Sequence, residues 1–436
     1  MSRKTKTTTT KDARKSALMP KLRFPEFCGD DVWNEMPLDG LSKRIRRKVG
    51  SKELTPVSIT AGFGFVDQTK KFGRRIAGEQ YKNYIHIQRG DFVYNKGNSK
   101  TFAQGCIYQL KEFEEAAAST AFICFKLNAS CVDIYFQNLF ECNTHGRKLL
   151  KFITSGARSD GLLNINPTDF FSIELPLPPR KEEQQRIAEC LSSVDEVIAA
   201  QSRKLDAFKT HKKGLMQELF PREGETQPRL RFPEFQDARE WDEHALKNVF
   251  SILQGFAFSS NDSVDEGVRW LKIADVSIQR MNHHATSYLP IQYQVKFSKV
   301  CVIEGDYVIA LTRPILNRQL KMAQVDQVFD GALLNQRVGK LVTTQYISFV
   351  YFLLQTSKVI SDIEKSISGT EPPNLSPKKL EDLKTYIPER PEQKKIADCL
   401  SSLDDIIAFQ VQKLEALKTH KKGLMQQLFP SPEEEV

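Results

Sequence analysis

Two stretches of the chain place an apolar residue at alternating steps of four and three positions. In the first, Ile187, Leu191, Val194, Ile198, Leu205, Phe208, Leu215 and Leu219 keep the step, and Gln201 and Lys212 fill two slots of the same seam. In the second, Ile396, Leu400, Leu403, Ile407, Leu414, Leu417, Leu424 and Leu428 do so, with Gln410 and Lys421 in the matching slots. Some four heptads of this spacing predict a coiled-coil helix in each stretch, about 40 residues and roughly 60 Å long. Polar seam residues weaken such a pair but fix its register. The two stretches are also near copies. KTHKKGLMQELFP from Lys209 returns as KTHKKGLMQQLFP from Lys418, and EEQQRIAECLSSVDEVIA from Glu182 returns as PEQKKIADCLSSLDDIIA from Pro391. A period of about 210 residues is too long for a solenoid or propeller repeat. It describes a duplicated unit, in which a variable body is followed by a repeated helix. Antiparallel pairing of the two helices within the chain would give a pseudo-two-fold arrangement and fix the distance between whatever the bodies bind.

The bodies show a different period. Each half opens alike, with PKLRFPEF from Pro20 and PRLRFPEF from Pro228, and Trp33 and Trp241 follow. In the first body FVYN, CIYQL and AFICFKL read as strands, and GDFVYNKGNSKTFAQG as a strand entering an irregular loop. Residues 134–152 have helical spacing, and Asn166–Pro167 supplies a cap and a first-turn proline. The second body copies this plan loosely. Gly305–Asp306 before YVIALTRP matches Gly90–Asp91 before FVYNKG, residues 346–367 supply the helix, and Ser376–Pro377 supplies the cap and first turn. The expected fold is α+β: two similar globular α/β bodies joined by two long helices that form an antiparallel coiled coil. The expected divisions are a basic tail (1–19), a body (20–178), a helix (179–221), a body (222–387), a helix (388–430) and an acidic tail (431–436). Framing helices that barely differ between bodies that do imply one task done twice and two versions of a second task.

Composition narrows the class. The chain has 436 residues, 40% of them hydrophobic, with 28 Phe, enough for two or three packed domains. The longest apolar run, around residues 346–354, is too short to cross a bilayer, and no apolar segment follows the basic start, so no secretory signal is expected. Eight cysteines form no C-x-x-C pair and no zinc spacing, which suits reduced thiols in the cytoplasm. The net charge of +9 is unevenly placed. Residues 1–23 hold eight Lys/Arg against one acid around a Thr-rich run, the composition of a disordered tail. Lys43, Arg44, Arg46, Arg47, Lys48 and Lys52 then cluster within the first body, as do Lys70, Lys71, Arg74 and Arg75. Two such clusters in one basic domain point to a polyanion.

No catalytic set emerges. AGFGF from Ala61 lacks the spacing of a dinucleotide-binding loop. EPPN from Glu371 differs from the Asn/Asp-Pro-Pro-aromatic motif of amino-methyltransferases at its first and fourth positions. EDLK from Glu381 has no upstream acidic partner, and a Walker phosphate loop is absent from the sequence. His283–His284 are adjacent, which does not aim two imidazoles at one metal. Catalytic, cofactor and metal residues are therefore expected to be none. Binding residues remain. Tyr94, Asn95, Lys96, Asn98 and Lys100 share one polar-aromatic loop, and Arg158 lies in a glycine-containing loop further on. Thr312, Arg313, Asn317, Arg318 and Lys321 share the corresponding loop of the second body, and Asn335, Gln336 and Arg337 form another group. Arg and Lys can meet guanine O6 and N7, Asn and Gln can meet adenine N6 and N7, and the cations can serve phosphates.

The paired plan resembles the specificity subunits of type I restriction–modification systems over nearly the whole chain. The motifs that carry the resemblance are LRFPEF…W at each opening, GDFVYNKG and ALTRP within the bodies, SG…LN and SG…LSP at their ends, and the two repeated coils. The resemblance implies that each body is a target recognition domain reading one half of an asymmetric bipartite site in double-stranded DNA, with the helices setting the spacer. It also implies two modification subunits, which use S-adenosylmethionine to methylate adenine, and restriction subunits, which use ATP and Mg. No cofactor is then expected in this chain. The basic tail departs from the family pattern. Two rival readings are a DNA methyltransferase or nuclease with a fused recognition module, and a basic coiled-coil scaffold.

Overall fold

The structure, a computed structural model, describes residues 18–60, 62–68, 78–97, 102–153, 163–284, 286–367 and 372–430. The chain forms two compact units, Met1–Ser202 with Lys413–Val436, and Arg203–Gln412. In the first, strands β1 (Asn34–Pro37) and β10 (Glu174–Leu177) pair antiparallel where the body leaves and rejoins the frame. Between them, β2 (Ser42–Arg44), β9 (Ile123–Leu127), β6 (Phe92–Asn95) and β7 (Cys106–Gln109) make an antiparallel sheet in that order. A second sheet runs β4 (Gly64–Asp67), β3 (Pro56–Thr60), β8 (Glu115–Ala118), β5 (Ile85–Gln88), with β3 and β8 parallel. The two-residue period of β6 places Phe92 and Tyr94 in one core and Val93 in another, so this strand divides two hydrophobic layers.

The second unit repeats the plan. Strands β11 (Asp242–Ala245) and β21 (Lys384–Ile387) pair at the base. One sheet runs β12 (Phe250–Gln254), β20 (Val338–Thr343), β15 (Tyr307–Ala310), β18 (Met322–Gln324). Another runs β14 (Tyr288–Leu289), β13 (Val268–Leu271), β19 (Leu333–Leu334), with β13 and β19 parallel. The hairpin of β16 (Ile315–Leu316) and β17 (Gln319–Leu320) has no counterpart among the strands described in the first unit. In β15, Tyr307 and Ile309 face one core and Val308 and Ala310 the other. The repeated Gly-Asp dipeptide has a local cause. Gly90 and Gly305 sit at φ 91° and 92°, a conformation open to glycine. The Asp91 and Asp306 carboxylates then accept the amides of Gln88 and Ile303 at 2.7 and 2.8 Å, closing the turn into the strand.

The short helices depart from the expected lengths. Residues 134–152 form not one helix but α2 (Asp133–Glu141) and α3 (Thr144–Leu149), because Asn143 turns the chain left-handed at φ 57°. Residues 346–367 likewise divide into α7 (Ile347–Leu354) and α8 (Ser357–Ile367), with the Thr356 hydroxyl donating to the Leu353 carbonyl at the break. Asn166 caps α4 (Pro167–Phe171) by accepting the Asp169 amide. Ser376 precedes α9 (Pro377–Glu381) without a side-chain cap bond. The remaining short helices are α1 (Leu38–Leu41) and α6 (Tyr293–Lys296).

Helices α5 (Lys181–Leu219) and α10 (Arg390–Leu428) each run 39 residues. In the first unit Ile187, Ala188 and Leu191 of α5 share a core with Leu424, Met425 and Leu428 of α10. In the second, Leu215, Met216 and Leu219 share one with Ile396, Ala397 and Leu400. The start of one helix thus meets the end of the other, and the pairing is antiparallel. Along the seam Ile187, Leu191, Gln201, Leu205, Ile396, Leu400, Leu403, Gln410 and Leu414 are buried, while Val194, Ile198 and Ile407 are half-buried. The two lysine slots hold cross-helix ion pairs, Lys212 with Asp404 at 2.5 Å and Lys421 with Asp195 at 2.9 Å. Burial opposes the charge on Lys421, but Glu141 and Asp195 outweigh it and raise its pKa.

The repeated motifs at the helix starts fasten each body to its helix. Arg23 grips Glu183 through two bonds of 2.8 Å, and the Trp33 indole N–H donates to the same carboxylate at 3.1 Å. In the other unit Arg231 grips Glu392 at 2.9 and 2.7 Å, with Trp241 at 3.3 Å. The next residue does a second task. The side-chain oxygens of Gln184 and Gln393 accept the amides of Val132 and Tyr346, which precede α2 and α7. The opening segments also cap the long helices, since the Leu22 and Leu230 amides donate to the carbonyls of Gln427 and Glu218.

Candidate nucleic-acid interface

Each body offers the same feature at the end of its dividing strand, where a loop returning toward the short helix crosses over it. In the first body the Leu163 amide donates to the Lys96 carbonyl at 3.0 Å. In the second, Thr312 bridges Asn374, the Leu375 amide donates to the Leu311 carbonyl, and the Arg313 amide donates to the Pro373 carbonyl.

Several residues expected to contact a ligand here serve the fold instead. Tyr94 is fully buried, stacked on Phe170 at 4.6 Å, with its hydroxyl donating to the Gln104 carbonyl. It cannot reach a base, because β6 puts it on the same face as Phe92. The Asn95 amide donates to the Ile59 carbonyl while its oxygen accepts the Gly97 amide. Lys96 is half-buried, its ammonium directed at the Ile165 carbonyl at 3.5 Å. Thr312 is buried and donates to Asn374. Lys321 donates to the Ile273 carbonyl, and burial lowers its pKa. Asn335 is half-buried and accepts the Arg337 amide. Arg74, Arg75, Asn98, Lys100 and Arg158 lie outside the described residues.

The guanidiniums differ in what they meet. Arg23, Arg89, Arg180, Arg186, Arg222, Arg229, Arg231 and Arg239 pair with carboxylates. Arg313, Arg318 and Arg337 in the second body are exposed, and among the described residues their guanidiniums have no bonded partner. Arg44 and Arg46 are in the same state in the first body, where partial burial and then the neighbouring Arg46 lower the Arg44 pKa. Arg47, also exposed, makes one long bond to the His86 carbonyl. Arg313 and Arg318 adopt left-handed backbone at φ 49° and 57°. Arg318 forms the β16–β17 turn with Asn317, also left-handed, the geometry of a tight two-residue hairpin. Cations without carboxylate partners keep their charge uncompensated and their N–H donors available for a phosphate or base edge.

A cavity of about 490 Å³ opens beside the Thr312 bridge, lined by Gln254, Thr312, Gln336, Arg337 and Asn374 among others. Gln254 and Asn374 were not legible as site residues. The only signal was that Gln254 ends a strand pattern just before Gly255. Among the described residues no group of His, Cys, Asp and Glu could hold a metal, and His283 is instead paired with Asp326 at 2.7 Å. No helix of the described residues is long and apolar enough to cross a membrane.

Two similar bodies, each carrying exposed guanidiniums without a bonded partner among the described residues, define a chain with a duplicated domain. Known proteins agree. A family model described as the type I restriction modification DNA specificity domain matches residues 70–209 and again 238–419. The MjaVIII type I restriction enzyme specificity subunit of Methanocaldococcus jannaschii is 30% identical over 278 residues, 63% of this chain and 65% of that protein. The match thus spans just under two thirds of that relative's length. The MjaX specificity subunit of the same organism, itself named as putative, is 25% identical over 343 residues, 77% of this chain and 76% of that one. In fold, the crystal structure of the type I restriction–modification S subunit from M. genitalium covers 95% of this chain and 99% of its own, at 15% identity and a TM-score of 0.54. The chain belongs to the type I restriction–modification DNA specificity family, and carries that family's domain twice.

Proposed function

We propose that this chain is the DNA-reading subunit of a type I restriction–modification complex and performs no catalysis itself. Each body reads one half of a bipartite site in double-stranded DNA, and the paired helices set the spacer between the halves. One observation carries this reading. The two bodies keep the same frame, including the Gly-Asp turn, the Arg–Glu–Trp clamp and the crossing loop. Yet they present different exposed cations, Arg44 and Arg46 in one and Arg313, Arg318 and Arg337 in the other. Different readers on equivalent mounts require an asymmetric site. The partners of this reading are two modification subunits carrying S-adenosylmethionine and restriction subunits carrying ATP and Mg, all in the cytoplasm.

The test is a methylome map of cells holding this chain with its modification subunit, set against cells holding the modification subunit alone. The expected result is new adenine methylation at an asymmetric bipartite motif with a fixed gap. An assembled, cofactor-loaded complex that marks no motif would overturn the reading and favour a scaffold.

A further inference from the structure

The second body holds a better-built site than free surface cations require. The residue pair Gln336–Arg337 sits on a turn whose backbone is fixed on every side. The Asn335 amide donates to the Leu271 carbonyl, Gln336 to Phe256, and Val338 to Asn335, while the Arg337 carbonyl accepts Leu311. The Asn335 side chain accepts the Arg337 amide at 3.0 Å, and the Gln254 side chain donates to the Gln336 carbonyl at 2.6 Å. Strand β12 presses so closely here that a Cβ on Gly255 would lie 2.3 Å from the Asn335 carbonyl oxygen. Only glycine permits that approach. Yet the two side chains this scaffold carries, Gln336 and Arg337, are exposed and have no bonded partner among the described residues. Both border the 490 Å³ cavity, whose floor includes the Thr312–Asn374 bond. Phe256 beside them is left 46% exposed.

Phosphate anchoring needs only a cation within reach, and a mobile lysine suffices. A turn held by this many bonds is preorganised, which reduces the ordering cost of a directional contact. An arginine fork matches the O6 and N7 pair of guanine, an amide matches the N6 and N7 pair of adenine, and an apolar face suits a thymine methyl. We propose that the Gln254–Gln336–Arg337 cleft is the base-reading site of the second body, with Arg337 reading a guanine and Gln336 an adenine in the adjacent base pair. This rests on the reading of the chain as a DNA-specificity subunit.

The experiment maps methylation by the complete complex carrying the wild-type chain, Arg337→Ala, Arg337→Lys or Gln336→Ala. With Arg337→Ala, one guanine position in one half-site should become degenerate, with discrimination there falling about ten- to hundred-fold. The other half-site should be unchanged, which also reports that the variant is folded. Arg337→Lys should relax the same position, because the planar fork is lost although the charge remains. Gln336→Ala should relax the adjacent adenine. A uniform fall across all sites with the motif intact, rescued by lysine, would make Arg337 a phosphate anchor and overturn the proposal, as would an unaltered map. Failure of the underlying reading looks different, since the wild-type complex would then show no bipartite motif.

Discussion

Replacing Glu392 with alanine tests the reading of the repeated helix starts as clamps. Glu392 is 4% and Arg231 13% exposed at the side chain, and the carboxylate takes both arms of the guanidinium and the Trp241 indole. An arginine guanidinium does not lose its proton in a protein, so Arg231 stays charged when its partner goes. It then keeps only the Ala238 and Arg239 carbonyls at 3.1 Å, and the indole N–H loses its acceptor. Removing one member of a buried pair costs about 3–5 kcal/mol, because a charge is left uncompensated. For a unit of this size each kcal/mol moves the melting temperature by about 2–4 °C, so a fall of roughly 6–20 °C is expected by calorimetry on the full chain. Glu183→Ala should do the same to the other unit, whose clamp has the same geometry. The double substitution Arg231→Met/Glu392→Leu removes the stranded charge and should be less damaging than Glu392→Ala alone. A fall below about 2 °C for Glu392→Ala, or a double variant as unstable as the sum of its singles, would refute the clamp.

Acid should weaken the first unit through His145. Burial lowers its pKa to about 4, and its ring is packed against those of Tyr94 and Phe140. The unfolded chain therefore binds the extra proton between the usual value near 6.5 and 4. The stabilisation is complete above about 6.5 and lost as pH falls through that window, about 3 kcal/mol in all. Denaturant midpoints measured across this range should show the slope, and His145→Gln should flatten it. Inserting one heptad into both α5 and α10 adds about 10.5 Å of helix, close to three base pairs of duplex at about 3.4 Å each. Methylome mapping should find both half-sites unaltered and a longer gap between them, whereas an unchanged gap would remove the helices from spacer setting.

The frame was the most legible part of the chain because its information is periodic. Steps of four and three mark a seam whatever the partner, and a near-verbatim second copy marks the chain's duplicated plan. The clamp was visible only as repeated letters. Arg23, Trp33 and Glu183 are up to 160 positions apart, and nothing local says that one carboxylate serves both the guanidinium and the indole. At the strand ends, polar composition misled where period would have helped. Tyr94 lies two residues beyond Phe92, and in a strand that spacing assigns it to the same buried face. Asn95, Thr312 and Asn335 are polar because they secure turns and crossing loops, a use that composition does not distinguish from ligand contact. The break at Asn143 was hidden for a related reason, since the apolar spacing continues across it while one residue turns left-handed.

The placement of buried polar groups explains how such a chain can diversify. Glu183, Gln184, Glu392 and Gln393 are all nearly inaccessible; Glu183 and Glu392 bind residues at the opening end of the body each serves, and Gln184 and Gln393 bind the amides that lead into α2 and α7 within it. The strand pairs β1–β10 and β11–β21 lie at the ends of the bodies. A body is therefore fastened by polar contacts at its opening end and ahead of an internal helix, and stabilised inside by apolar layers on either face of its dividing strand. The solvent-facing side chains of the loops beyond that strand take part in neither. Substitution there costs little stability when the side chain is solvent-facing, as at Gln336, Arg337 and Arg318, and much when it secures a turn, as at Asn335 or Gly255. Change in what is bound is thus expected at the first class of position and resistance to change at the second. In this chain the two classes are neighbours along a single turn.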